Sequence, residues 1–122
     1  MSAFGTLPEW VAEYFLPTFR RPLGGEYRWC ACWWLHDEAE TRLTMLWYTW
    51  EKARLSPGEG MGEWLHHRLD QQLPILLGAR GPFYQCSEER HVDPPVAGVT
   101  KPWPAYVGPR PPAGLPAGRP EE

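Results

Sequence analysis

Seven tryptophans fall within the first 91 residues of this chain, and they constrain its fold more than any other feature. A fully buried Trp withdraws roughly 150–250 Å² from water. Seven of them supply an apolar core large enough to hold a small domain without disulfides. Residues 92–122 have the opposite character, with nine of the fifteen prolines, four glycines and few aliphatic side chains. Such a stretch has too little apolar surface to offset its ordering entropy, and its prolines favour an extended, polyproline-like backbone. The expected organisation is therefore a Trp-rich domain over 1–91 and a Pro/Gly-rich, largely extended or disordered tail over 92–122.

Within the domain, hydrophobic spacing favours helices. Thr6-Leu7-Pro8-Glu9 has the form of a helix start, with Thr6 as cap, Pro8 in the first turn and Glu9 completing a capping box. Trp10, Val11, Tyr14 and Phe15 follow at helical spacing, and Pro17 is expected to end or kink the helix near Leu16. Pro22-Leu23-Gly24-Gly25 reads as a turn. Residues 26–36 are apolar on too many faces for period alone to decide, and read as a buried helix or a short strand. Residues 37–55 form the clearest helix, capped by Asp37, with Ala39, Leu43, Leu46, Trp47, Trp50 and Ala53 on one stripe. A further helix is expected over 60–72, with Met61, Trp64, Leu65 and Leu69 inward and His66, His67, Asp70 and Gln71 outward. Pro74 should break it, leaving Ile75-Leu76-Leu77 as a short apolar turn. Phe83 and Tyr84 are expected to pack back on the domain, and Ser87 to cap a last short turn. The fold class that results is all-α, a compact domain of three to four helices.

Charge and motifs narrow the function classes. Lys plus Arg is 12 and Asp plus Glu is 15, a formal net charge of -3, which argues against a general polyanion binder. No apolar run approaches the ~20 residues of a membrane span, and the N-terminus lacks the order of a secretory signal. A cytoplasmic protein without membrane insertion is expected. Three cysteines, Cys30, Cys32 and Cys86, are an odd set for a secreted disulfide scaffold. Free thiols or a metal site fit them better.

The order of landmarks is distinctive. Trp10-Val11 precedes Phe15-Leu16-Pro17; Tyr27-Arg28-Trp29-Cys30 precedes Trp33-Trp34 and His36; Leu43, Leu46, Trp47, Trp50 and Glu51 precede Pro57-Gly58, Gly60-Met61 and Trp64; Gly81-Pro82-Phe83 and Cys86 close the series. Over about residues 7–91 this pattern resembles the actinobacterial family called domain of unknown function 4913. The resemblance implies a small protein of a mobile element or phage in a high-GC bacterium, and no activity. Ten Arg against two Lys, and the absence of Asn, fit that genomic background. Cys32 departs from the residue the resemblance leads one to expect, so Cys30 carries more weight.

Four groups of side chains carry candidate chemistry. Cys30, His36, Cys86 and His91 form a Cys₂His₂ set for zinc, with Cys32 in reserve. The spacing matches no standard finger, and the plainer alternative is Cys30 as a small core hydrophobe and His36 at a helix start. No cofactor is otherwise expected. His66 and His67 lie four residues from Asp70 and Glu63, respectively, a pairing that suits acid–base work and equally a solvated helix face. No nucleophile motif, phosphate loop or dinucleotide fingerprint accompanies them, so an enzyme is not expected. Arg20, Arg21 and Arg28 near Trp29 make a local patch for nucleic acid. In the tail, Trp103 and Tyr106 lie in a stiff Pro-rich segment that suits docking on a protein partner. The primary expectation is a non-enzymatic accessory protein that acts by protein–protein binding. The alternative is a small nucleic-acid-binding regulator, and zinc is compatible with either. No residue fixes an oligomeric state.

Overall fold

The computed structural model describes residues 2–87, 89–94 and 96. Three helices organise them, and no strand of a sheet occurs among the described residues. Helix α1 covers residues 7–18, α2 is Asp37–Ala53 and α3 covers residues 59–76. A short 3₁₀ turn, Trp33–Leu35, leads into α2. Most of the tail, including Trp103 and Tyr106, lies outside the described residues.

The start of α1 is dictated locally. Thr6 has extended backbone, and its hydroxyl accepts the Glu9 N–H at 3.3 Å, while the Glu9 carboxylate accepts the Thr6 N–H at 3.2 Å. That reciprocal pair is the expected capping box. Helix α2 starts differently. His36, not Asp37, occupies its cap position, and Asp37 is the first helical residue. Asp37, Glu38 and Glu40 in the first turn still complement the helix dipole.

Both α1 and α3 widen by one residue in mid-course. Val11–Phe15 and Leu65–Leu69 are π-helical turns, in which the Leu16 N–H reaches the Val11 carbonyl and the Asp70 N–H the Leu65 carbonyl. The apolar pattern accounts for this. Trp10 and Phe15 are five residues apart, as are Trp64 and Leu69, and all four are buried. On a regular helix of about 3.6 residues per turn, positions five apart diverge by well over a quarter turn. A π turn returns them to one face. Leu65 is exposed rather than inward.

The two prolines do less than expected. Helix α1 continues past Pro17 to Thr18, and the Phe19 N–H still bonds the Phe15 carbonyl at 3.0 Å. Helix α3 continues through Pro74 to Leu76. An interior proline costs roughly 3 kcal/mol. Burying Leu73, Leu76 and Leu77 contributes about 1.5–3 kcal/mol each, which outweighs it.

Trp10 is the hub of the core. Its ring meets Tyr14, Phe15, Trp50 and Trp64, joining all three helices. The Trp64 indole N–H donates to the Leu46 carbonyl at 3.1 Å and the Thr49 hydroxyl at 3.0 Å, fastening α3 to α2. Arg42 on α2 adds a 2.6 Å bond to Gln72 on α3 and a 2.9 Å ion pair with Glu38. Glu51 ties the N-terminus down by accepting the backbone N–H groups of Ala3 and Phe4 at 2.8 and 3.1 Å.

Residues 26–36 are neither helix nor strand for most of their length. Gly24 and Gly25 have φ of 91° and 70°, a reversal closed to residues with a Cβ except under strain. Beyond it, Tyr27 makes isolated bridges, one of them to Gly78, and the Arg28 N–H bonds the Leu77 carbonyl at 2.8 Å. The chain then runs irregularly to the 3₁₀ turn. Side-chain burial, not backbone pairing, holds it: Trp29, Cys30 and Trp33 are all in the core.

Candidate metal centre

Two irregular segments meet beside the start of α2. The first carries Cys30 and His36. The second, residues 78–93, leaves the end of α3 and returns across the first. Gly81 starts that return so close to Ile75 that a Cβ there would collide with the Ile75 carbonyl. Phe83 then enters the core, its ring 5.1 Å from Trp29 and 5.1 Å from His36. Cys86 follows, its N–H bonded to the Phe83 carbonyl at 3.0 Å. Ser87 accepts the Glu89 N–H at 3.1 Å and closes the last turn before His91.

Cys30, His36, Cys86 and His91 converge. One ligand atom from each lies within 4.8 Å of all the others. Cys30 Sγ is 3.2 Å from His91 Nδ1, and Cys86 Sγ is 3.4 Å from His36 Nε2. Each contact joins one segment to the other. The two rings meet edge to face, with centroids 4.5 Å apart. Zinc–sulfur bonds of about 2.3 Å and zinc–nitrogen bonds of about 2.0–2.1 Å, at tetrahedral angles, place sulfur and nitrogen roughly 3.5 Å apart. These two sulfur–nitrogen separations match that size, and the four side chains together could hold a metal ion. Cys32 lies outside the set and is half-buried.

Burial governs the electrostatics of Cys30 and His36. Burial pushes the Cys30 thiol up to about 11; the Cys32 backbone opposes the rise, while Cys86 and Cys32 add to it. Burial also lowers the His36 pKa, as does His91, against an opposing effect of Asp93. Without a metal the site therefore holds a thiol and an uncharged imidazole, and a cation must displace thiol protons to bind. The Val92 N–H points at Cys86 Sγ at 3.4 Å, a donor suited to a thiolate. Three of the four side chains are buried, and His91 is half-buried.

The other candidates fare differently. His66 and His67 are exposed neighbours on α3, 4.6 Å between ring centroids, and no hydrogen bond or ion pair to Glu63 or Asp70 occurs among the described residues. Arg20 and Arg21 line a shallow concavity of about 200 Å³ with Trp29 and Leu77. Arg20 and Arg28 each bond a carbonyl three residues earlier, at 2.9 and 3.1 Å. Trp29 is buried, so its ring is not presented for stacking. Among the described residues no helix is long and apolar enough to cross a membrane.

Two groups escaped the sequence reading. Glu51 stands among the landmarks of the resemblance, but its role as acceptor for the Ala3 and Phe4 N–H groups does not follow from sequence. Asp93 fell just past the domain boundary placed at residue 91, yet it touches both histidines of the cluster. Its position two residues after His91 was the available signal.

Comparison with known proteins gives a single match. No curated protein matches the chain, and no solved structure does. The family model described as domain of unknown function DUF4913 matches residues 4–104, which takes in all three helices of the described residues and all four cluster residues. The chain belongs to that family.

Proposed function

We propose that this chain is a zinc-stabilised helical module that works by binding a protein partner rather than by catalysis. The observation that carries the proposal is the convergence of two thiols and two imidazoles within 4.8 Å. Four protein ligands fill a tetrahedral shell. Catalytic zinc sites keep a position open for water or substrate, whereas structural ones are closed. On this reading the ion staples residues 86–91 to residues 30–36 and fixes where the chain leaves the domain. The Pro-rich segment beyond, with Trp103 and Tyr106, is the contact arm. The accessory role in a mobile element or phage belongs to the same proposal and rests on the family resemblance.

The test is metal content. The full chain, expressed with zinc available and purified without chelator, should carry one zinc per chain by elemental analysis. Cys86→Ser and His36→Ala should each lower it well below one. A folded full chain with no bound zinc, and no uptake on titration, would falsify the zinc reading.

A further inference from the structure

One carboxylate stands behind both histidines of the cluster. Asp93 Oδ1 lies 3.3 Å from His91 Nε2 and 3.6 Å from His36 Nδ1. In each ring the other nitrogen is the one that faces a sulfur: Nδ1 of His91 toward Cys30, Nε2 of His36 toward Cys86. The two imidazoles are thus used in opposite senses, and both turn their remaining nitrogen to the same oxygen. That placement puts Asp93 behind the rings, on the side away from the sulfurs, where it is not a fifth ligand.

Resting on the zinc reading above, we infer that Asp93 is the outer-shell carboxylate of the centre and sets the tautomer and orientation of both ligating histidines. A histidine that gives one nitrogen to a metal carries its proton on the other. A carboxylate that accepts that proton fixes the ring and raises the basicity of the ligating nitrogen. Here one carboxylate serves two rings. His91 is the nearer partner, within hydrogen-bonding reach. At 3.6 Å the His36 contact is longer than a formed hydrogen bond, so Asp93 orients that ring more weakly than it does His91. The arrangement also explains why His91, outside the compact run of the core, remains in place: its ring is gripped from both ends, by Cys30 and by Asp93.

The Asp93 side chain is 64 % exposed, so its replacement leaves the core intact. The experiment compares the full wild-type chain with Asp93→Ala and Asp93→Glu. Zinc affinity is measured by competition with a chelator at pH 7, and the imidazole nitrogens of the zinc-loaded forms are followed by NMR. Asp93→Ala should keep one zinc per chain and bind it about 10–100-fold more weakly. In that variant the His91 Nε2 proton should exchange with water faster than in wild type, and His36 should change less. Asp93→Glu, which keeps the charge, should recover part of the affinity. Asp93→Ala binding within about twofold of wild type would overturn the inference and leave the zinc reading standing. So would a loss of affinity with the His91 Nε2 proton unaltered, since Asp93 would then act as a distant charge. Failure of the wild-type chain itself to take up zinc overturns both readings, and is told apart because it shows before any variant is compared.

Discussion

Trp64 and Trp29 are both buried, yet the backbone around them is ordered by different means. Trp64 sits in α3, where each turn is bonded to the next, and its indole fastens that helix to α2. Trp29 sits in a segment that makes one long-range backbone bond, Arg28 to Leu77, near its own position. Phe83, which packs on Trp29, is likewise in a run of short turns. The helical half has a ladder of local backbone bonds to reinforce its packing. The irregular half has little to fall back on, because few of its hydrogen bonds survive without its side-chain contacts. The four-residue cluster lies in that second half and joins its two pieces. A metal there would supply the ordering that a helix supplies elsewhere.

Removing the proposed ion is the strongest way to break this comparison. Structural zinc in small finger peptides is worth roughly 10–16 kcal/mol at pH 7. With chelator, hydrogen exchange should show residues 78–93 losing protection while α2 and α3 keep most of theirs. Equal loss in both halves would mean one cooperative unit, and the contrast would fail. The linkage has a defined sign. The Cys30 thiol is raised by burial and must give up its proton to bind, so affinity should rise with pH. Each displaced proton contributes up to about tenfold per pH unit. Calorimetric titration of zinc in buffers of different ionisation enthalpy should count at least one proton released, that of Cys30.

A core substitution sharpens the comparison from the other side. Trp10→Ala removes the ring that touches Tyr14, Phe15, Trp50 and Trp64. A loss of about 3–5 kcal/mol in urea unfolding is expected. The effect should fall on all three helices together. A Trp10→Ala chain that unfolds only around residues 78–93 would show that the hub had been misplaced.

How far the sequence could be read follows the same division. The capping box at Thr6 and Glu9 was legible because its partners are three residues apart and need only local geometry. The stripe of α2 was legible because it keeps one period over 17 residues. The π turns were not read, although Trp10–Phe15 and Trp64–Leu69 announce them by a spacing of five, because a period of 3.6 absorbs a single slip. Residues 26–36 were opaque because nearly every position is apolar, and what decides their path is a Gly-Gly reversal and contact with residues 77–86. Cys30, His36, Cys86 and His91 could be named from residue type, but not their meeting, which depends on the close approach at Gly81 and the turn at Ser87. For Asp93 the sequence offers only its place two residues after His91, and its role follows from that meeting.

The smallest expected effect concerns the seam between the N-terminus and α2. Glu51 is partly buried, and burial alone would raise its pKa. Four donors reverse that: the Ala3 N–H, the Trp47 indole, the Phe4 N–H and Arg54 hold the carboxyl below its usual value. A group whose pKa is lower in the folded than in the unfolded chain stabilises the fold above the unfolded value, near 4.3 for Glu. That contribution is lost as the pH falls through the folded value. Glu51→Gln keeps the shape and removes the charge, so about 1.5–3 kcal/mol should be lost at pH 7. Near the acid end the variant and the wild type should converge. Because Glu51 lies far in sequence from both cluster segments and belongs to the helical half, its loss should leave zinc affinity unchanged. Urea unfolding between pH 3 and pH 7 (roughly the range over which Glu titrates), paired with a chelator competition at pH 7, reads both. A parallel loss of zinc affinity in Glu51→Gln would mean that the two halves are coupled through α2, whose first turn begins at His36.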